Sequence, residues 1–126
     1  MPKKGVNLGG WGEKLATDFL ESKGYKIISQ NYKVKFGEID IVALDKDRVC
    51  FIEVKSRRSA RFGLGRDAIT GLKQRQISKV AVSFLKENCY LNRKARFDVV
   101  EVDFSFLQPK LTLVRNAFEI NKEFNY

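Results

Sequence analysis

The sequence predicts a mixed α/β domain in which helices pack on a β-sheet. Two segments carry apolar residues at helical spacing, and five shorter segments are rich in β-branched and aromatic residues. The second helical segment falls between two of the strands, and a helix in that position is typical of a crossover on one sheet. With 126 residues and 44% hydrophobic composition, the chain is long enough to form one compact domain with its own core.

The first half of the chain predicts one helix and three strands. Residues 1–10 are basic and rich in glycine, which predicts a flexible tail ahead of a single domain over residues 11–126. Residues 11–23 place apolar side chains on one helical face, and Gly24 is a frequent helix stop. Three strands follow, at 25–32, 38–44 and 49–56. A short polar turn separates the last two, so we expect them to form an antiparallel hairpin.

The second half predicts a helix and two further strands. Residues 57–67 contain four arginines and two glycines, a composition typical of a loop. Residues 69–87 repeat apolar side chains at the i, i+3, i+4 and i+7 positions of a helix packed on a core. Two strands follow, at 96–104 and 111–115, with Pro109 in the turn between them. No pattern in residues 116–126 predicts an element.

The composition restricts both the partner and the chemistry. The chain has 24 Lys and Arg against 15 Asp and Glu, and the net charge of +9 favours a polyanionic partner. Nucleic acid is the first candidate and an anionic membrane surface the second, while a merely soluble basic surface fits the charge as well. The chain contains no histidine, which excludes serine–histidine–aspartate triads, zinc sites built on imidazole and nucleases with a histidine base.

Cysteine use and hydropathy predict a cytoplasmic protein. Cys50 and Cys89 are far apart in the sequence and form no C-x-x-C pair, so nothing indicates a disulfide scaffold. The sequence contains no signal-peptide pattern and no long apolar run. We therefore expect a reducing compartment and no association through a membrane span.

Charged residues interrupt the two apolar strands of the predicted hairpin. Side chains alternate along a strand, which places Glu53 and Lys55 on one face of the third strand. On the second strand the same rule places Glu38, Asp40 and Val42 on one face, opposite Ile39 and Ile41. If the polar faces coincide, Asp40 and Glu53 converge beside Lys55, and Glu13 near the start of the first helix could approach the same point.

Two converging carboxylates suit a divalent metal. Hard cations such as Mg²⁺ prefer oxygen ligands, so Asp40, Glu53, the backbone carbonyl of Val54 and water would suffice. Such a metal could polarise a phosphodiester and activate a water, with Lys55 orienting that water or neutralising charge. The alternative is a solvated charge pair between Glu53 and Lys55, with Glu13 as an ordinary first-turn acid.

These acids and the lysine, in this order, resemble the restriction-endonuclease-like superfamily, the PD-(D/E)xK nucleases. Asp40 matches the first acid and Glu53-Val54-Lys55 the E-x-K element, while Ile39 stands where the superfamily name implies proline. The chain is more closely similar to the small bacterial family of YraN-like proteins, which are related to Holliday-junction resolvases. The similarity covers about residues 9–102, and these stretches carry it: Gly12-Glu13, Gly24-Tyr25, Asn31-Tyr32, Gly37-Glu38-Ile39-Asp40, Phe51-Ile52-Glu53-Val54-Lys55-Ser56-Arg57, Gly63, Lys73-Gln74, Ala81 and Arg96-Phe97-Asp98-Val99-Val100.

The resemblance implies a restriction-endonuclease-like core and a metal-dependent DNA endonuclease. Asp40 and Glu53 would bind Mg²⁺ or Mn²⁺, and Lys55 would be catalytic. Glu13 would be an auxiliary acid, and Lys73 or Gln74 an auxiliary residue that faces the site. Glu38, on the predicted face of Asp40, is a further auxiliary candidate, with an exposed strand residue as the alternative. The implied substrate is DNA, with branched or otherwise structured DNA as one form of it. Two active sites suit junction cleavage, which would favour a homodimer.

Basic and aromatic residues around the acidic strands are candidate nucleic-acid contacts. Guanidinium and ammonium groups suit phosphate oxygens, although a solvated loop or helix face is the alternative for each. The candidates are Arg57, Arg58, Arg61, Arg66, Lys33, Lys35 and Lys73. Four aromatic residues could stack on bases, although core packing is the default expectation for each: Tyr25, Tyr32, Phe36 and Phe62.

Asp98 interrupts the fourth strand between apolar neighbours. We expect it to pair with an arginine such as Arg96 or Arg57, outside the metal site.

Two other functions fit the sequence beside an endonuclease. A nucleic-acid-binding module without catalysis would keep the basic surface and need no metal. A protein that docks on a ribonucleoprotein would prefer structured RNA to DNA.

Overall fold

The computed structural model describes residues 8–57 and 70–120. Two helices and five strands follow one another in the predicted order, which confirms the mixed α/β class. The helices are α1 (Leu8–Ser22) and α2 (Gly71–Glu87). The strands are β1 (Lys26–Val34), β2 (Gly37–Asp45), β3 (Arg48–Arg57), β4 (Ala95–Asp103) and β5 (Lys110–Glu119). Within these described ranges, neither helix is long and apolar enough to cross a membrane.

The five strands form one mixed sheet in the order β1-β2-β3-β4-β5. Neighbouring strands are antiparallel except β3 and β4, which run parallel and are joined by the segment that contains α2. The predicted β2–β3 hairpin is confirmed, and Lys46 in its turn adopts a φ of 59°. Because β2 is antiparallel to β3, its first residues lie at the end of the sheet where β3 and β4 finish.

Two hydrophobic clusters cover opposite faces of the sheet. On one face Phe51 packs with Val80 and Phe84 of α2. On the other face Ile52 packs with Ala16 and Leu20 of α1. Consecutive residues of β3 therefore contact different helices, as the alternation of side chains along a strand requires.

Two element ends differ from the prediction by more than two residues. Helix α1 begins at Leu8, so residues 8–10 of the predicted tail are helical, and β5 continues to Glu119. Gly9 and Gly10 suggested a flexible tail, but both belong to the first turn of α1. Gly12, inside the predicted helix, is buried where α1 approaches β3. A Cβ atom at Gly12 would meet Ser56 Oγ, so a larger residue there would require the Ser56 side chain to rotate away.

Side-chain alternation breaks in β2 at Asp40. Ile39 and Val42 belong to the cluster beneath α2, whereas Ile41 belongs to the cluster beneath α1. The prediction that Ile39 and Ile41 share a face is therefore wrong. The alternation rule assumes a regular ladder, and the ladder is irregular at this position.

The irregularity involves both neighbours of β2. The β1–β2 ladder contains the pairs Tyr32–Ile39 and Gln30–Ile41 but lacks the intervening pair of Asn31 and Asp40. Asn31 has a φ of 54°, in the left-handed region that asparagine tolerates better than most residues. On the other side, the β2–β3 ladder ends at the pair Ile41–Ile52. The backbone of Asp40 thus lies outside both regular ladders.

Asp98 is fully buried and pairs with Arg96, as predicted. Arg96 Nε donates to Asp98 Oδ1 at 3.0 Å, and the other end of the same guanidinium donates to Asp45 at 2.8 Å. The Tyr25 hydroxyl donates to Asp98 Oδ2 at 3.0 Å, and the Asn116 backbone N–H donates to Oδ1 at 2.8 Å. This cluster satisfies a buried charge, so Tyr25 is a structural residue and is not available to stack on bases.

Candidate active site

The acidic residues meet where β2 separates from β3. Beyond the last pair of the ladder, Asp40 Oδ2 accepts a hydrogen bond from the Val54 backbone N–H at 2.8 Å. The carboxylate thus takes the place of a backbone acceptor and lies between the two strands. Asp40 and Glu53 line the same cleft, so the predicted convergence of these two residues is confirmed. The separation of the strands, rather than simple alternation, brings them together.

Two lysines contact Glu53. Lys73 Nζ, from the first turn of α2, lies 2.9 Å from Glu53 Oε1. Lys55 Nζ, two residues along β3, lies 3.6 Å from Glu53 Oε2. The helix start that carries Lys73 is fixed by Thr70, whose side chain accepts a hydrogen bond from the Lys73 backbone N–H at 3.2 Å. The predicted neighbours Lys55 and Lys73 therefore lie at the acidic residues.

The cleft between β2 and α2 has a volume of about 200 Å³. Its polar wall is formed by Glu38, Asp40, Glu53, Lys73 and Gln76. Its apolar wall is formed by Ile39, Ile52, Ile77, Val80 and Phe97. A mixed wall of this kind places carboxylates beside a surface from which water is partly excluded, and this strengthens their electrostatic interactions.

Burial and mutual repulsion act on the carboxylates. Burial raises the pKa of Asp40, the hydrogen bond from Val54 N–H opposes that rise, and the negative charges of Glu53 and Glu38 add to it. Burial also raises the pKa of Glu13, with further contributions from the charges of Asp40 and Glu38. The structure therefore brings Glu13, from α1, into the same electrostatic environment as the acids of the sheet.

The oxygen atoms of Glu53 bear on metal binding. Glu53 Oε2 is buried and accepts no hydrogen bond from the described residues. Lys55 lies within ion-pair distance of this oxygen but too far for a hydrogen bond. A buried carboxylate oxygen without a donor beside a second carboxylate fits a hard divalent cation. Within residues 8–57 and 70–120, no group of three or more Asp, Glu or Cys side chains is arranged to hold a metal, so water and backbone oxygens would complete the shell.

The candidate nucleic-acid contacts differ in their surroundings. Lys33 and Lys35 are exposed near the β1–β2 turn, and Lys33 Nζ lies 3.5 Å from Glu38. Arg57 is mostly buried and forms an ion pair with Glu101, so we expect less phosphate binding from it than from the two lysines. The remaining candidates fall outside the described residues: Arg58, Arg61, Arg66 and Phe62.

Two residues near the acidic strands were not predicted as site residues: Gln76 at the cleft and Asn31 on β1. Gln76 lines the cleft and donates a hydrogen bond from Nε2 to the Phe36 carbonyl at 2.9 Å, whereas the predicted Gln74 is not among the described residues that line the cleft. Asn31 lies opposite Asp40 at the point where the β1–β2 ladder is interrupted. Asparagine is uncommon within strands, so Asn31 before Tyr32 was a weak sign that β1 is irregular at this position.

Comparison with known proteins identifies the family of this chain. The model of the uncharacterised protein family UPF0102 matches residues 12–102, which include every acidic residue of the site. A UPF0102 protein of Geobacter metallireducens is 45% identical over 114 residues, covering 90% of this chain and 93% of that protein. A UPF0102 protein of Syntrophus aciditrophicus is 43% identical, with 91% of each chain covered. The chain therefore belongs to the uncharacterised family UPF0102, the YraN-like family that the sequence motifs resemble.

Proposed function

We propose that this protein is a metal-dependent endonuclease that hydrolyses phosphodiester bonds in DNA, with a site of the PD-(D/E)xK type. One observation carries the proposal. Asp40 and Glu53 converge beside Lys55 at the point where two strands separate, and the hydrogen bond from Val54 N–H holds Asp40 there. A solvated charge pair alone would not require the ladder to end or a carboxylate to replace a backbone acceptor.

The residues present fit Mg²⁺ or Mn²⁺. Asp40 and Glu53 would supply carboxylate oxygens, and the Val54 carbonyl is a further oxygen donor on the same strand. When bound, the metal would polarise the phosphate and lower the pKa of a coordinated water. Glu53 Oε2 is buried and has no hydrogen-bond donor within residues 8–57 and 70–120, and such an ion would satisfy it.

The cationic side chains have distinct roles in this proposal. Lys55 lies on the same face of β3 as Glu53 and would hold a phosphate oxygen or orient the attacking water. Lys73 neutralises Glu53 in the absence of metal, which explains how two acids remain close together. Glu13 would act as an auxiliary acid through its proximity to Asp40. The surplus of positive charge would attract DNA toward the cleft.

The second candidate is a nucleic-acid-binding module without catalysis. The contact between Lys73 Nζ and Glu53 Oε1 at 2.9 Å favours it, because a lysine that neutralises the acid can replace a metal permanently. In that case the basic surface would bind DNA and the acidic residues would serve only to hold α2 on the sheet.

The test is cleavage by purified protein of duplex, single-stranded, bubble and four-way-junction DNA with Mg²⁺ or Mn²⁺. Asp40→Asn and Glu53→Gln preserve side-chain size, and Asn can still accept from Val54 N–H, so both variants should fold. We expect each to lower the cleavage rate at least about 100-fold, because a metal supplies several kcal/mol to the transition state. Asp47→Asn, in the β2–β3 turn at the far end of the sheet, is the charge-matched control and should cleave normally.

Two results would decide against the nuclease. An absence of cleavage by the wild type on every substrate with either metal, together with retained DNA binding, favours the binding module. Cleavage that persists unchanged in Asp40→Asn and Glu53→Gln would point to a contaminating nuclease or a different site. Stronger binding to structured RNA than to any DNA would favour docking on a ribonucleoprotein.

A further inference from the structure

Exposed large apolar side chains are concentrated at one end of the sheet. Over the part of the chain that the structure describes, five are exposed: Phe36 (39%), Leu72 (78%), Leu91 (43%), Phe106 (51%) and Leu107 (97%). The first two and the last two lie at the end that carries the acidic site, and Leu91 lies at the opposite end. Isolated exposed apolar residues are ordinary, but two adjacent ones in a single turn, Phe106 and Leu107, suggest a binding surface.

The strand directions produce this grouping. The parallel strands β3 and β4 end at the same level, and β2 begins there because it is antiparallel to β3. The β1–β2 turn, with Phe36, therefore projects from the same end as the β4–β5 turn, with Phe106 and Leu107. Leu72 lies in the first turn of α2, beside the lysine that contacts Glu53.

The β4–β5 turn is held in place by hydrogen bonds. Asp103 Oδ1 accepts from the Ser105 backbone N–H at 2.9 Å and from its hydroxyl at 2.6 Å. The Phe104 backbone N–H donates to the Arg57 carbonyl at 2.7 Å, which ties the turn to the end of β3. An ordered turn therefore presents Phe106 and Leu107 to solvent, and it costs little further entropy to bind through them.

Lysines lie at the same end as these apolar side chains, and three of those lysines pair with carboxylates of the acidic site. Lys110 Nζ lies 5.7 Å from the centroid of the Phe106 ring. The same end of the sheet carries four further lysines: Lys33, Lys35, Lys55 and Lys73. Apolar groups among cations suit nucleic acid whose bases are accessible. The net charge of +9 favours a polyanion over a second copy of this chain, and an intact duplex covers its base faces by stacking.

We propose that Phe106 and Leu107 stack on or insert between bases of the nucleic acid bound at the candidate active site. The preferred substrate is then one with an unstacked, unpaired or branched step, because opening such a step costs less than opening a regular duplex. This inference rests on the proposed function, since it takes the acidic site to hold the same nucleic acid.

The sheet geometry predicts where that step lies relative to the cut. Glu53 pairs with Val99 and Arg57 with Asp103, so four residues of strand separate the acidic site from the start of the turn. At about 3.3 Å per residue this is about 13 Å, and the turn projects beyond it to roughly 15–20 Å. With about 3.4 Å per base step, the cut should lie about four to six nucleotides from the unstacked step.

Binding measured without metal tests the inference independently of cleavage. The probe is duplex DNA with a three-nucleotide bubble that contains 2-aminopurine, compared with the fully paired duplex, both in EDTA. We expect the wild type to prefer the bubble and to change the 2-aminopurine fluorescence. Phe106→Ala and Leu107→Ser should weaken bubble binding about tenfold and leave duplex binding nearly unchanged, because base stacking is lost while the charges remain. Leu91→Ser is the matched control and should behave as the wild type.

The outcomes separate this inference from the nuclease proposal. An unchanged ratio of bubble to duplex affinity in Phe106→Ala and Leu107→Ser overturns the inference, even if the protein cleaves DNA. A reduced ratio in a protein that cuts no substrate supports the inference and removes the nuclease. If the two variants change the oligomeric state in gel filtration and not the DNA preference, the turn is a self-association surface and the inference fails. Where cleavage occurs, cut sites should move with the bubble at a constant offset.

Discussion

Lys73 is the residue whose role most directly distinguishes a metal site from a structural ion pair. Its Nζ lies 2.9 Å from Glu53 Oε1, while Oε2 of the same carboxylate has no hydrogen-bond donor among the described residues. If Glu53 binds a metal, the lysine and the metal compete for one carboxylate. If Glu53 is only structural, removal of the lysine leaves a poorly compensated acid in the cleft.

We therefore expect Lys73→Met to bind Mn²⁺ more tightly than the wild type. The gain should be about threefold to fivefold, because a partly exposed ion pair is worth up to about 1 kcal/mol. Isothermal titration calorimetry measures the affinity, and Lys94→Met, at the opposite end of the sheet, controls for the loss of one positive charge. Equal Mn²⁺ affinity in the two variants would contradict the competition.

Tyr25 connects the buried Asp98–Arg96 cluster to the stability of the fold at high pH. Burial is the main reason that the pKa of Tyr25 rises from 10.0 to about 12, and the negative charge and hydrogen bond of Asp98 add to it. Above pH 10 the unfolded chain releases the phenolic proton, whereas the folded chain retains it up to about pH 12. Stability must therefore fall as the pH rises through this window.

Tyr25→Phe should make this alkaline decline shallower, because the substituted residue has no proton to lose. The variant should also be less stable than the wild type at neutral pH by about 1–3 kcal/mol, since Asp98 loses a buried donor. Urea denaturation at pH 8 to 11 measures both effects. Tyr90→Phe lies outside the cluster and should keep the full decline. The assignment of the decline to Tyr25 would be wrong if Tyr25→Phe and the wild type lost stability in parallel.

At the level of elements, the sequence predicts the order of helices and strands because each element carries its own periodic pattern. The alternation in β3 correctly separates Phe51 from Ile52, since β3 is paired along its length with β4. The same rule fails in β2 because the ladder is interrupted at Asp40. No local pattern encodes this interruption, which depends on how three strands meet.

The candidate site likewise combines residues that the sequence predicts with contacts that it does not. Glu53 and Lys55 are predictable as site residues because a charge in an apolar strand is costly unless it is paired or binds a ligand. The hydrogen bond between Asp40 and Val54 and the contact of Gln76 with the Phe36 carbonyl join residues far apart in the chain. Such contacts leave no signature in spacing or composition. Residues 8–10 were predicted as tail because glycine is unfavourable in helices, yet α1 begins at Leu8.

Asn31 is the residue through which the interruption of β1–β2 can be tested. Its φ of 54° suits asparagine and glycine but is unfavourable for a β-branched side chain. We expect Asn31→Val to cost about 1–3 kcal/mol of stability. Asn31→Gly should cost much less. Because Asn31 lies opposite Asp40, the valine variant should also weaken Mn²⁺ binding in calorimetry. Thermal unfolding that ranks valine equal to glycine would show that the left-handed backbone at this position is not required.

At the scale of the whole molecule, the two ends of the sheet hold different groups of charged residues. One end holds the buried cluster of Asp98, Arg96 and Tyr25, which ties three strand ends together. The other end holds the acidic cleft, the exposed apolar turns and several lysines. The separation means that charge changes at the acidic end can alter ligand binding without removing the contacts that stabilise the fold.

With a net charge of +9, we expect DNA binding to weaken steeply as the salt concentration rises. Two double Lys→Gln variants, one at each end of the sheet, test which lysines contact the DNA. Lys33 and Lys35 lie at the acidic end, and Lys46 and Lys94 lie exposed at the other end. Both double substitutions to glutamine change the net charge equally. If DNA lies across the acidic end, Lys33→Gln with Lys35→Gln should lower the slope of log K against log salt by up to about 1.8, because each lost phosphate contact contributes about 0.9.

The pair Lys46→Gln with Lys94→Gln should leave that slope nearly unchanged, because only local contacts release counterions, and net charge acts at longer range through the association rate. Fluorescence anisotropy with a duplex oligonucleotide at increasing salt measures the slope for all three proteins. Equal slopes for the two double variants would mean that attraction is set by net charge alone. DNA would then have no fixed place on the surface, and neither the position of the cleft nor that of the exposed turns could select a phosphodiester.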